Sequence, residues 1–577
     1  MKQILNLNGL WKFAPTYDQK PTNNHNVLSS NVPLYSHKDL NRSGWETVTV
    51  PGVWQRYAEK YSVFEGVCWF YREFQLDEPL DNAKIQLVCQ GINYKADVYI
   101  NSHLVGVHES AYTGFILDVS PYVQAGINAI AIQVDNRPTV VKWPNDWGYG
   151  VYGGIHRNIF LEVFRDDYVY DLALTPDYDV AKNQGLLKIT AKGSAKSFTL
   201  ELNHRVTEIC RNANGEFHAE LSYDDITPWS PEHPVLYRAT VTVDENCHGD
   251  YRVGFRNVAC QNRQFLLNGA PFELKGACYL CDSPKSGLAM GREELRNDLL
   301  RMKTANVNAI RTHYPMSQEF YELCDELGFA VWIEPNIYCS KPAVTETGTV
   351  FAQPEFINVA ISMTQEMIAD ARRFASVVIY GIGNECNTLH PEAVPFFETI
   401  SATVRQEDAS RPVGYAALYG QIGRIAHTID VLGINSYYSW YGVIDTFRTE
   451  DPRHGVKRIA DVSKVQDLIQ KAVAETQENT VILLTEFGAD SVPGNFSDDH
   501  ALWSENYHAQ VVEAYIAAAR NSGIVKGYFV FAFTDYQDPS KPLNGMWNGL
   551  NLKGMLSYDR SVKLPYYALQ KAYSKEP

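Results

Sequence analysis

An apolar strand that ends in a carboxylate is the most informative part of this sequence: residues 377–385 read VVIYGIGNE. A second stretch has the same form, since residues 481–486 read VILLTE. Uninterrupted apolar runs of this length are typical of strands buried on both faces, as in parallel sheets. Each run brings one glutamate, Glu385 or Glu486, to the carboxyl end of a buried strand.

The sequence around these two stretches repeats the strand pattern after residue 257. Candidate strands lie at 273–276, 307–311, 330–333, 377–380, 413–415, 431–434, 481–484 and 528–531. Helical patterns alternate with them, because apolar side chains share one helix face over 292–302 and over 317–327, where Gly328 ends the helix. Strand–helix units repeated eight times predict a closed parallel (β/α)8 TIM barrel, whose chemistry lies at the carboxyl ends of the strands.

The first 256 residues follow a different rhythm. Short alternating runs, for example 47–50, 96–100 and 129–134, are separated by turn-forming residues. An alternation with period two indicates antiparallel sheets. We therefore predict a jelly-roll-like β-sandwich of the sugar-binding kind over 1–164, an immunoglobulin-like β-sandwich over 165–256 and a catalytic barrel over 257–577.

Composition and charge exclude several classes of function. The 577 residues are 45% hydrophobic and 20% charged, which is an ordinary globular balance. A net charge of −16 repels phosphate backbones and anionic lipid, so neither nucleic acid nor membrane is expected as a partner. The first residues, MKQILNLNG, lack the apolar core of a signal peptide, and a cytoplasmic location is expected.

The ten cysteines are scattered, and Cys278 and Cys281 alone have CxxC spacing. No second such pair or histidine pair follows at zinc-finger distance. We interpret the two as ordinary thiols and expect no metal.

Glu385 and Glu486 together offer what glycoside hydrolysis requires. One protonated carboxyl group gives its proton to the leaving oxygen, and one ionised carboxylate attacks or stabilises the anomeric carbon. Aromatic, amide and charged residues follow other strands, as in RTHY at 311–314, Glu334, NSYY at 435–438 and FTDY at 533–536. Rings that stack on sugar faces and polar groups that bind hydroxyls suit a sugar-binding pocket.

These motifs, and two sandwiches that precede a barrel, resemble glycoside hydrolase family 2 over nearly the whole chain. Within the family, the likeness is greatest to β-glucuronidases. It is carried by YGGIHR at 152–157, RTHYP at 311–315, SVV at 376–378, NSYYSW at 435–440, TEFG at 485–488, WSENY at 503–507 and NLKG at 551–554. Two positions depart from the family pattern, because Cys386 stands where Pro is common and Ser436 where Arg is usual.

The resemblance implies a role for each matching residue. Glu385 is expected to be the general acid/base and Glu486 the nucleophile of a retaining mechanism that needs no cofactor. Asn384 is expected to bind the sugar 2-hydroxyl. Tyr437 is expected to donate a hydrogen bond to Glu486. Asn551 and Lys553 are expected to bind a substrate carboxylate. The other implied substrate-binding residues are Asn435, His313 and Asp146. A neutral sugar is expected to leave the Lys553 ammonium without a partner.

The expected substrate is a terminal β-D-glucuronide, either a small conjugate or the end of an oligosaccharide. The acidic charge of the chain favours single uronic acids over long polyuronates. A β-galacturonidase and a β-galactosidase stay open as alternatives. A catalytically inactive carbohydrate-binding protein is the alternative of another class, and the presence of both glutamates speaks against it. Relatives commonly form homo-oligomers, which implies a dimer or a tetramer.

Overall fold

The computed structural model describes residues 2–16, 34–77, 80, 82–137, 142–144, 152–340, 344–345, 348–441, 459–541, 543 and 546–574. Antiparallel sheets come first along the chain, and a closed parallel barrel follows them. The predicted fold class, two β-sandwiches and a (β/α)8 barrel, is confirmed.

A four-stranded sheet, β1-β12-β5-β9, and a six-stranded sheet, β3-β2-β4-β10-β7-β8, form the first sandwich. One hydrophobic core includes side chains from both sheets, such as Leu87 and Leu161 from the first and Phe13 and Phe70 from the second. The strands are β1 (Lys2–Asn6), β2 (Gly9–Thr16), β3 (Glu46–Val50), β4 (Val67–Leu76), β5 (Lys84–Cys89), β6 (Ile92–Asn93), β7 (Lys95–Ile100), β8 (His103–Glu109), β9 (Phe115–Asp118), β10 (Gly126–Asp135), β11 (Gly154–Ile155) and β12 (Ile159–Phe164).

The second sandwich packs a three-stranded sheet, β13-β14-β17, against a four-stranded sheet, β16-β15-β18-β19. This is the strand complement of an immunoglobulin-like constant domain. A small antiparallel sheet of β20, β21 and β22 then leads into the barrel. The strands are β13 (Val169–Asp179), β14 (Gln184–Gly193), β15 (Ser197–Leu202), β16 (Arg205–Cys210), β17 (Glu216–Tyr223), β18 (Tyr237–Val243), β19 (Asn246–Val253), β20 (Val258–Gln261), β21 (Gln264–Leu267) and β22 (Ala270–Pro271).

Eight parallel strands close the barrel, and each of them coincides with one of the predicted strands. They are β23 (Leu274–Cys278), β24 (Ala309–Arg311), β25 (Ala330–Ile333), β28 (Val377–Asn384), β29 (Val413–Leu418), β30 (Val431–Asn435), β31 (Val481–Glu486) and β32 (Gly527–Val530). Two short hairpins lie outside the barrel wall and consist of β26 (Val344–Thr345), β27 (Gly348–Thr349), β33 (Tyr536–Gln537) and β34 (Leu550–Asn551).

Helices surround the barrel. The α-helices are α1 (Arg292–Thr304), α2 (Gln318–Leu327), α3 (Pro354–Ala371), α4 (Ala393–Glu407), α5 (Ser463–Glu475), α6 (Glu505–Asn521) and α7 (Leu564–Tyr573). Short 3-10 helices lie at Leu34–Ser36, Trp54–Arg56, Glu59–Tyr61, Ser120–Tyr122, Val350–Ala352 and Gly423–Thr428.

Local sequence explains the bounds of α2. The Ser317 hydroxyl accepts a hydrogen bond from the backbone N–H of Phe320, which caps the helix start. Gly328 ends the helix with a φ of 75°, a left-handed conformation that glycine adopts without steric cost. Both predicted helices, over 292–302 and 317–327, are confirmed.

Polar contacts join the first sandwich to the loops at the carboxyl end of the barrel. The Arg56 guanidinium donates to the Tyr152 hydroxyl (2.9 Å), to Gln537 Oε1 (3.0 Å) and to the Tyr558 hydroxyl (2.8 Å). The Tyr152 hydroxyl donates to Asp282 Oδ1 at 2.6 Å. Hydrogen bonds that link two packed units fix their relative arrangement, so this network holds the sandwich beside the barrel mouth.

Candidate active site

Glu385 and Glu486 lie on the same end of the barrel. Glu486 is the last residue of β31, and Glu385 directly follows β28. Asn435, the last residue of β30, lies between them. Its side-chain amide donates to Glu385 Oε1 at 2.8 Å, and its Cα pairs with that of Glu486 across the sheet. The two predicted catalytic residues therefore lie close together at the carboxyl end of the barrel.

Three donors hold the Glu486 carboxylate, of which 1% is exposed. Arg311 Nη1 and His313 Nε2 each donate to Oε1 at 2.8 Å. The Tyr437 hydroxyl donates to Oε2 at 2.7 Å. Hydrogen bonds to an ionised acceptor are short and strong, so this arrangement orients both oxygens of the carboxylate.

These donors keep Glu486 ionised. Burial acts to raise its pKa, but the hydrogen bond from His313 and the charge of Arg311 outweigh burial and lower the pKa of Glu486 to about 2. Burial and the neighbouring negative charge of Glu486 raise the pKa of Tyr437 well above its ordinary value, so Tyr437 keeps its proton and remains a donor.

Arg311 connects the whole cluster, and the sequence reasoning did not single it out as a site residue. Its Nε donates to Glu334 Oε1 at 2.7 Å, and its Nη2 donates to Asn384 Oδ1 at 2.8 Å. Burial raises the pKa of Glu334 against the effect of Arg311. The available signal was the placement of Arg311 and Glu334 at the ends of the adjacent strands β24 and β25.

The side-chain NH2 group of Asn384 is available to a ligand. Its Oδ1 accepts from Arg311 (2.8 Å) and from Asn435 (3.0 Å). Its Nδ2 is buried and has no hydrogen-bond partner among the described residues. A buried donor without a partner is costly, and a ligand hydroxyl at this position would satisfy it.

Glu385 differs from Glu486 in backbone and exposure. Its φ is 49°, in the left-handed region that side chains other than glycine rarely adopt. Its N–H donates to the Ala416 carbonyl at 2.9 Å, which fixes this conformation against β29. Its side chain is partly exposed, whereas Glu486 is buried. Glu385 is thus more accessible to solvent than Glu486.

Lys553 and Asn551 contact each other near the ring of Tyr437. The Lys553 ammonium is fully buried and 5.8 Å from the centre of the Tyr437 ring. It donates to Asp490 Oδ2 at 2.7 Å and to the Tyr441 hydroxyl at 2.9 Å. The expectation that a neutral sugar would leave this ammonium unpaired is wrong, because Asp490 already neutralises it.

The amide of Asn551 is also engaged. Its Oδ1 accepts from the Lys553 N–H at 3.3 Å, and its Nδ2 donates to Asp538 Oδ2 at 3.4 Å. The second of these is long for a hydrogen bond, and an acceptor that lies closer to Nδ2 can replace it.

The remaining candidates have different outcomes. Asp146 lies outside the described residues. Cys278 and Cys281 are buried free thiols whose sulfur atoms contact the Thr485 and Leu288 carbonyls at 3.2 and 3.5 Å. Within the described ranges, no group of three or more metal-ligating side chains occurs, and no helix is long and apolar enough to cross a membrane.

A parallel barrel with this carboxylate pair at its strand ends, one ionised and buried and the other partly exposed, has the site of a glycoside hydrolase. Family models agree along the chain. The sugar binding domain of glycosyl hydrolases family 2 matches residues 4–163, the family 2 model matches 168–256, and the family 2 TIM barrel domain matches 258–575. The chain belongs to glycosyl hydrolases family 2.

Known proteins similar to this chain include uronidases. The β-glucuronidase of Rattus norvegicus is 27% identical and aligns over 99% of this chain and 91% of its own. A putative β-glucuronidase of Formosa agariphila is 25% identical over 93% of this chain and 68% of its own. The crystal structure of a family 2 β-galacturonidase from Eisenbergiella tayi bound to galacturonate is 25% identical, with a TM-score of 0.80 over 99% of this chain and 97% of that one.

Proposed function

We propose that this chain is a retaining, exo-acting β-glycosidase that hydrolyses terminal β-D-glucuronides by double displacement. The observation that carries the proposal is the buried Glu486, held ionised by Arg311, His313 and Tyr437 beside the partly exposed Glu385. The relatives named as β-glucuronidases, which align over almost the entire chain, support the choice of sugar.

In the first step, the Glu486 carboxylate attacks the anomeric carbon and the glycosidic bond breaks. Glu385 gives its proton to the glycosidic oxygen, so the aglycone leaves as a neutral alcohol. Glu486 Oε1 already accepts two hydrogen bonds, whereas Oε2 accepts one from Tyr437. Oε2 therefore keeps a lone pair for the carbon and is the attacking oxygen.

In the second step, Glu385 acts as a base. It takes a proton from water, and the resulting nucleophile displaces Glu486 from the anomeric carbon. Two inversions at one carbon retain the β configuration. The negative charge returns to Glu486 as it leaves, and the Arg311, His313 and Tyr437 donors stabilise that charge.

Asn384 contributes to both steps. Its Nδ2 donor is available to the hydroxyl group on the carbon next to the reacting one. Hydrogen bonds to the 2-hydroxyl strengthen in an oxocarbenium-like transition state, so this contact lowers the barrier as well as binding the sugar.

Lys553 and Asn551 form the proposed grip on the uronate carboxylate. An ammonium has three protons, and Asp490 and Tyr441 accept two of those of Lys553. The third is left for the substrate. Because a neutral sugar leaves the Lys553–Asp490 pair intact, we expect a preference for uronides that is weaker than a lone buried cation would give.

A β-galacturonidase is the second candidate, and the similarity to a galacturonate-bound family 2 structure favours it specifically. Galacturonide and glucuronide differ in the orientation of the 4-hydroxyl and share the carboxylate. The same mechanism and the same Lys553 grip apply to both sugars.

A panel of 4-nitrophenyl β-glycosides tests the proposal. The wild type is expected to cleave the glucuronide or galacturonide with a kcat/KM at least tenfold above that for the galactoside. Lys553→Ala should lower activity on uronides far more than on the galactoside. Lys563→Ala is the matched control, because Lys563 is another buried lysine with a carboxylate partner, Asp535 at 2.9 Å. Lys563→Ala should change kcat/KM by the same factor for all substrates.

Two further properties belong to the proposal. We take the domain boundaries to lie at 164 and 256, between the matched family models. We also take the enzyme to be a homo-oligomer, a dimer or tetramer, which light scattering of the purified chain tests directly; a monomer at micromolar concentration would contradict it.

A further inference from the structure

A cavity of about 650 Å³ lies where the two sandwiches and the barrel meet. It is formed by β5, β9 and β12 of the first sandwich, by β13, β18 and β19 of the second, and by α2 and α3 of the barrel. Clefts of about 300 to 1,000 Å³ between domains are common sites for small molecules. We call it the junction cavity, and its wall includes Gln90, Phe164, Tyr170, His248, Asp370 and Arg372.

The junction cavity is separate from the proposed catalytic residues. Its barrel wall includes Asp370 and Arg372, which come before β28 begins at Val377, whereas Glu385 follows the other end of that strand. A strand of eight residues is roughly 25 Å long. Among the described residues, none of those proposed for catalysis or substrate binding lines the cavity. A ligand bound there therefore takes no direct part in hydrolysis.

Two register shifts, each of the kind that a β-bulge produces, lie in the cavity wall. The register of β13 against β14 shifts between Tyr170 and Ala173, and Asp171 within the shift has a φ of 50°. The register of β18 against β19 passes over His248, which has no partner residue in the ladder. Bulges re-aim side chains and are frequent beside functional sites. Both shifts occur where the second sandwich contributes side chains to the cavity.

Several polar atoms of the wall lack hydrogen-bond partners. His248 is 6% exposed, and neither of its ring nitrogens has a partner in the part of the chain that the structure describes. The same holds for two other buried atoms, Gln90 Oε1 and Arg372 Nε. Burial lowers the pKa of His248, so its ring is neutral near pH 7 and offers one donor and one acceptor. Because unpaired buried groups are costly, a ligand that supplies both donors and acceptors is favoured.

Aromatic rings lie beside these polar groups. The ring of His248 stacks on Phe164, with centroids 6.4 Å apart at an angle of 27°. Phe164 also packs against Tyr170, again with centroids 6.4 Å apart. Pockets that join ring faces to a few polar groups fix small ligands in one orientation. This combination suits a sugar, whose C–H faces pack on rings while its hydroxyl groups need hydrogen bonds.

The charges of the wall favour a neutral ligand. Two cationic side chains and four acidic ones line the cavity. The Lys2 ammonium is already 2.7 Å from the Glu162 carboxylate, and Glu366 pairs with His108 at 3.1 Å. Burial raises the pKa of Asp370 to about 6. An anionic sugar such as glucuronate therefore meets no excess of positive charge, in contrast to a sugar without charge.

From the cavity, the unpaired His248 and the balance of charges, we propose that the junction of the three domains is a non-catalytic binding site for a neutral saccharide of one or two sugar units. The inference goes beyond the proposed hydrolysis and does not depend on it, because no catalytic group takes part. Its ligand class also differs from that of the proposed substrate, which carries a carboxylate.

Calorimetric titration of the full chain with neutral disaccharides tests the proposal. The probes are cellobiose, lactose and maltose, and the protein carries Glu486→Ala so that none of them is hydrolysed. At least one probe is expected to bind. Ala369→Trp adds a large ring to an exposed position of α3 in the cavity wall and should weaken this binding at least tenfold. Ala402→Trp, at an exposed position of α4 outside the cavity, is the matched control and should leave the affinity unchanged.

Substitution of His248 tests the polar part of the site. His248→Ala should weaken binding of the disaccharide at least fivefold, because the ligand loses a donor and an acceptor. His248→Gln retains both kinds of group and should restore most of the affinity. Equal losses in the two variants would contradict the role of His248 in hydrogen bonding to the ligand.

Three results would overturn the proposal. The first is disaccharide binding that Ala369→Trp leaves unchanged, since the sugar would then bind elsewhere. The second is tighter binding of glucuronate than of any neutral probe, if Ala369→Trp abolishes it. The third is no measurable binding of the three probes up to about 20 mM. Failure of the proposed function is distinguishable, because calorimetry does not depend on turnover. With Glu486 in place, Ala369→Trp should cleave an aryl glycoside within twofold of the wild-type rate.

Discussion

Replacement of His313 by alanine should change the pH at which this enzyme loses activity in acid. His313 Nε2 donates to Glu486 Oε1 at 2.8 Å, and this hydrogen bond is the largest of the interactions that lower the pKa of Glu486 to about 2. His313→Ala removes the bond and leaves Arg311 and Tyr437 in place. Burial raises the pKa of Glu486, and without the His313 hydrogen bond less remains to offset this effect.

The size of the change follows from the geometry. A hydrogen bond to a charged group contributes about 1.5 to 3 kcal/mol. One pKa unit corresponds to about 1.4 kcal/mol, so the pKa of Glu486 should rise by about 1 to 2 units. The nucleophile must be ionised to attack. A raised pKa therefore moves the acid limb of the activity profile to higher pH, from about 2 to about 3 or 4.

The assay is kcat/KM for an aryl β-glycoside measured from about pH 1.5 to 8, a range that includes the acid limbs of both proteins, because that ratio reports the ionisation of the free enzyme. The wild type and the variant are compared on the same substrate, so ionisation of the substrate itself affects both alike. His508→Ala is the matched control. His508 is also a buried barrel histidine, but its Nδ1 contacts the Ser491 hydroxyl at 3.0 Å and neither catalytic carboxylate.

An unmoved acid limb in His313→Ala would refute the electrostatic role of His313, even if the rate at neutral pH fell. An equal movement in His508→Ala would refute it as well, since general loss of stability would then be the cause. A movement in the first variant alone supports His313 as the group that keeps the nucleophile ionised.

Three other perturbations have defined outcomes. Tyr437→Phe should lower kcat by about 10- to 100-fold and let the glycosyl-enzyme accumulate, as seen by intact-protein mass spectrometry, since Glu486 loses a donor to its returning charge. Arg311→Met should lower the free energy of unfolding by about 3 to 5 kcal/mol, because it leaves two buried carboxylates without their cation; an unchanged melting temperature would contradict this. Burial acts to raise the pKa of Asp408, but the charge of Arg411 and several hydrogen bonds outweigh burial and lower this pKa from 3.8 to about 2. The lowered pKa stabilises the fold above pH 4, and this contribution is lost as the pH falls towards 2. Asp408→Asn should therefore lower the free energy of unfolding by about 2 kcal/mol at pH 7. The loss should be smaller in denaturant titrations at pH 3.

The barrel and the two carboxylates proposed to be catalytic could be predicted from local sequence. A strand buried on both faces must be apolar throughout, so 377–384 and 481–485 identify themselves without any knowledge of the partners. Parallel strands around a barrel end at one rim, and this places Glu385 and Glu486 at the same opening. The motifs around them resembled family 2, and the family models confirmed that membership.

The hydrogen-bond network around Glu486 was harder to predict from the sequence. Arg311 and Glu334 are far apart in sequence from Glu486, and a charged residue at a strand end is as compatible with a surface position as with a buried one. Their meeting inside the barrel depends on the order in which the strands close. Lys553 illustrates the same limit, because its partner Asp490 comes from the loop after β31 and its charge balance could not be seen in the NLKG motif.

The sequence by itself determined the order of the domains, the strands of the barrel and the placement of Glu385 and Glu486 at strand ends, because strand periodicity and strand ends are properties of neighbouring residues. The tertiary structure decided how those carboxylates behave. Only packing brings Arg311, His313 and Tyr437 onto Glu486 and pairs Lys553 with Asp490. Charge and hydrogen bonding act over a few ångströms in space, whatever the separation along the chain, so the ionisation of Glu486 follows from the fold.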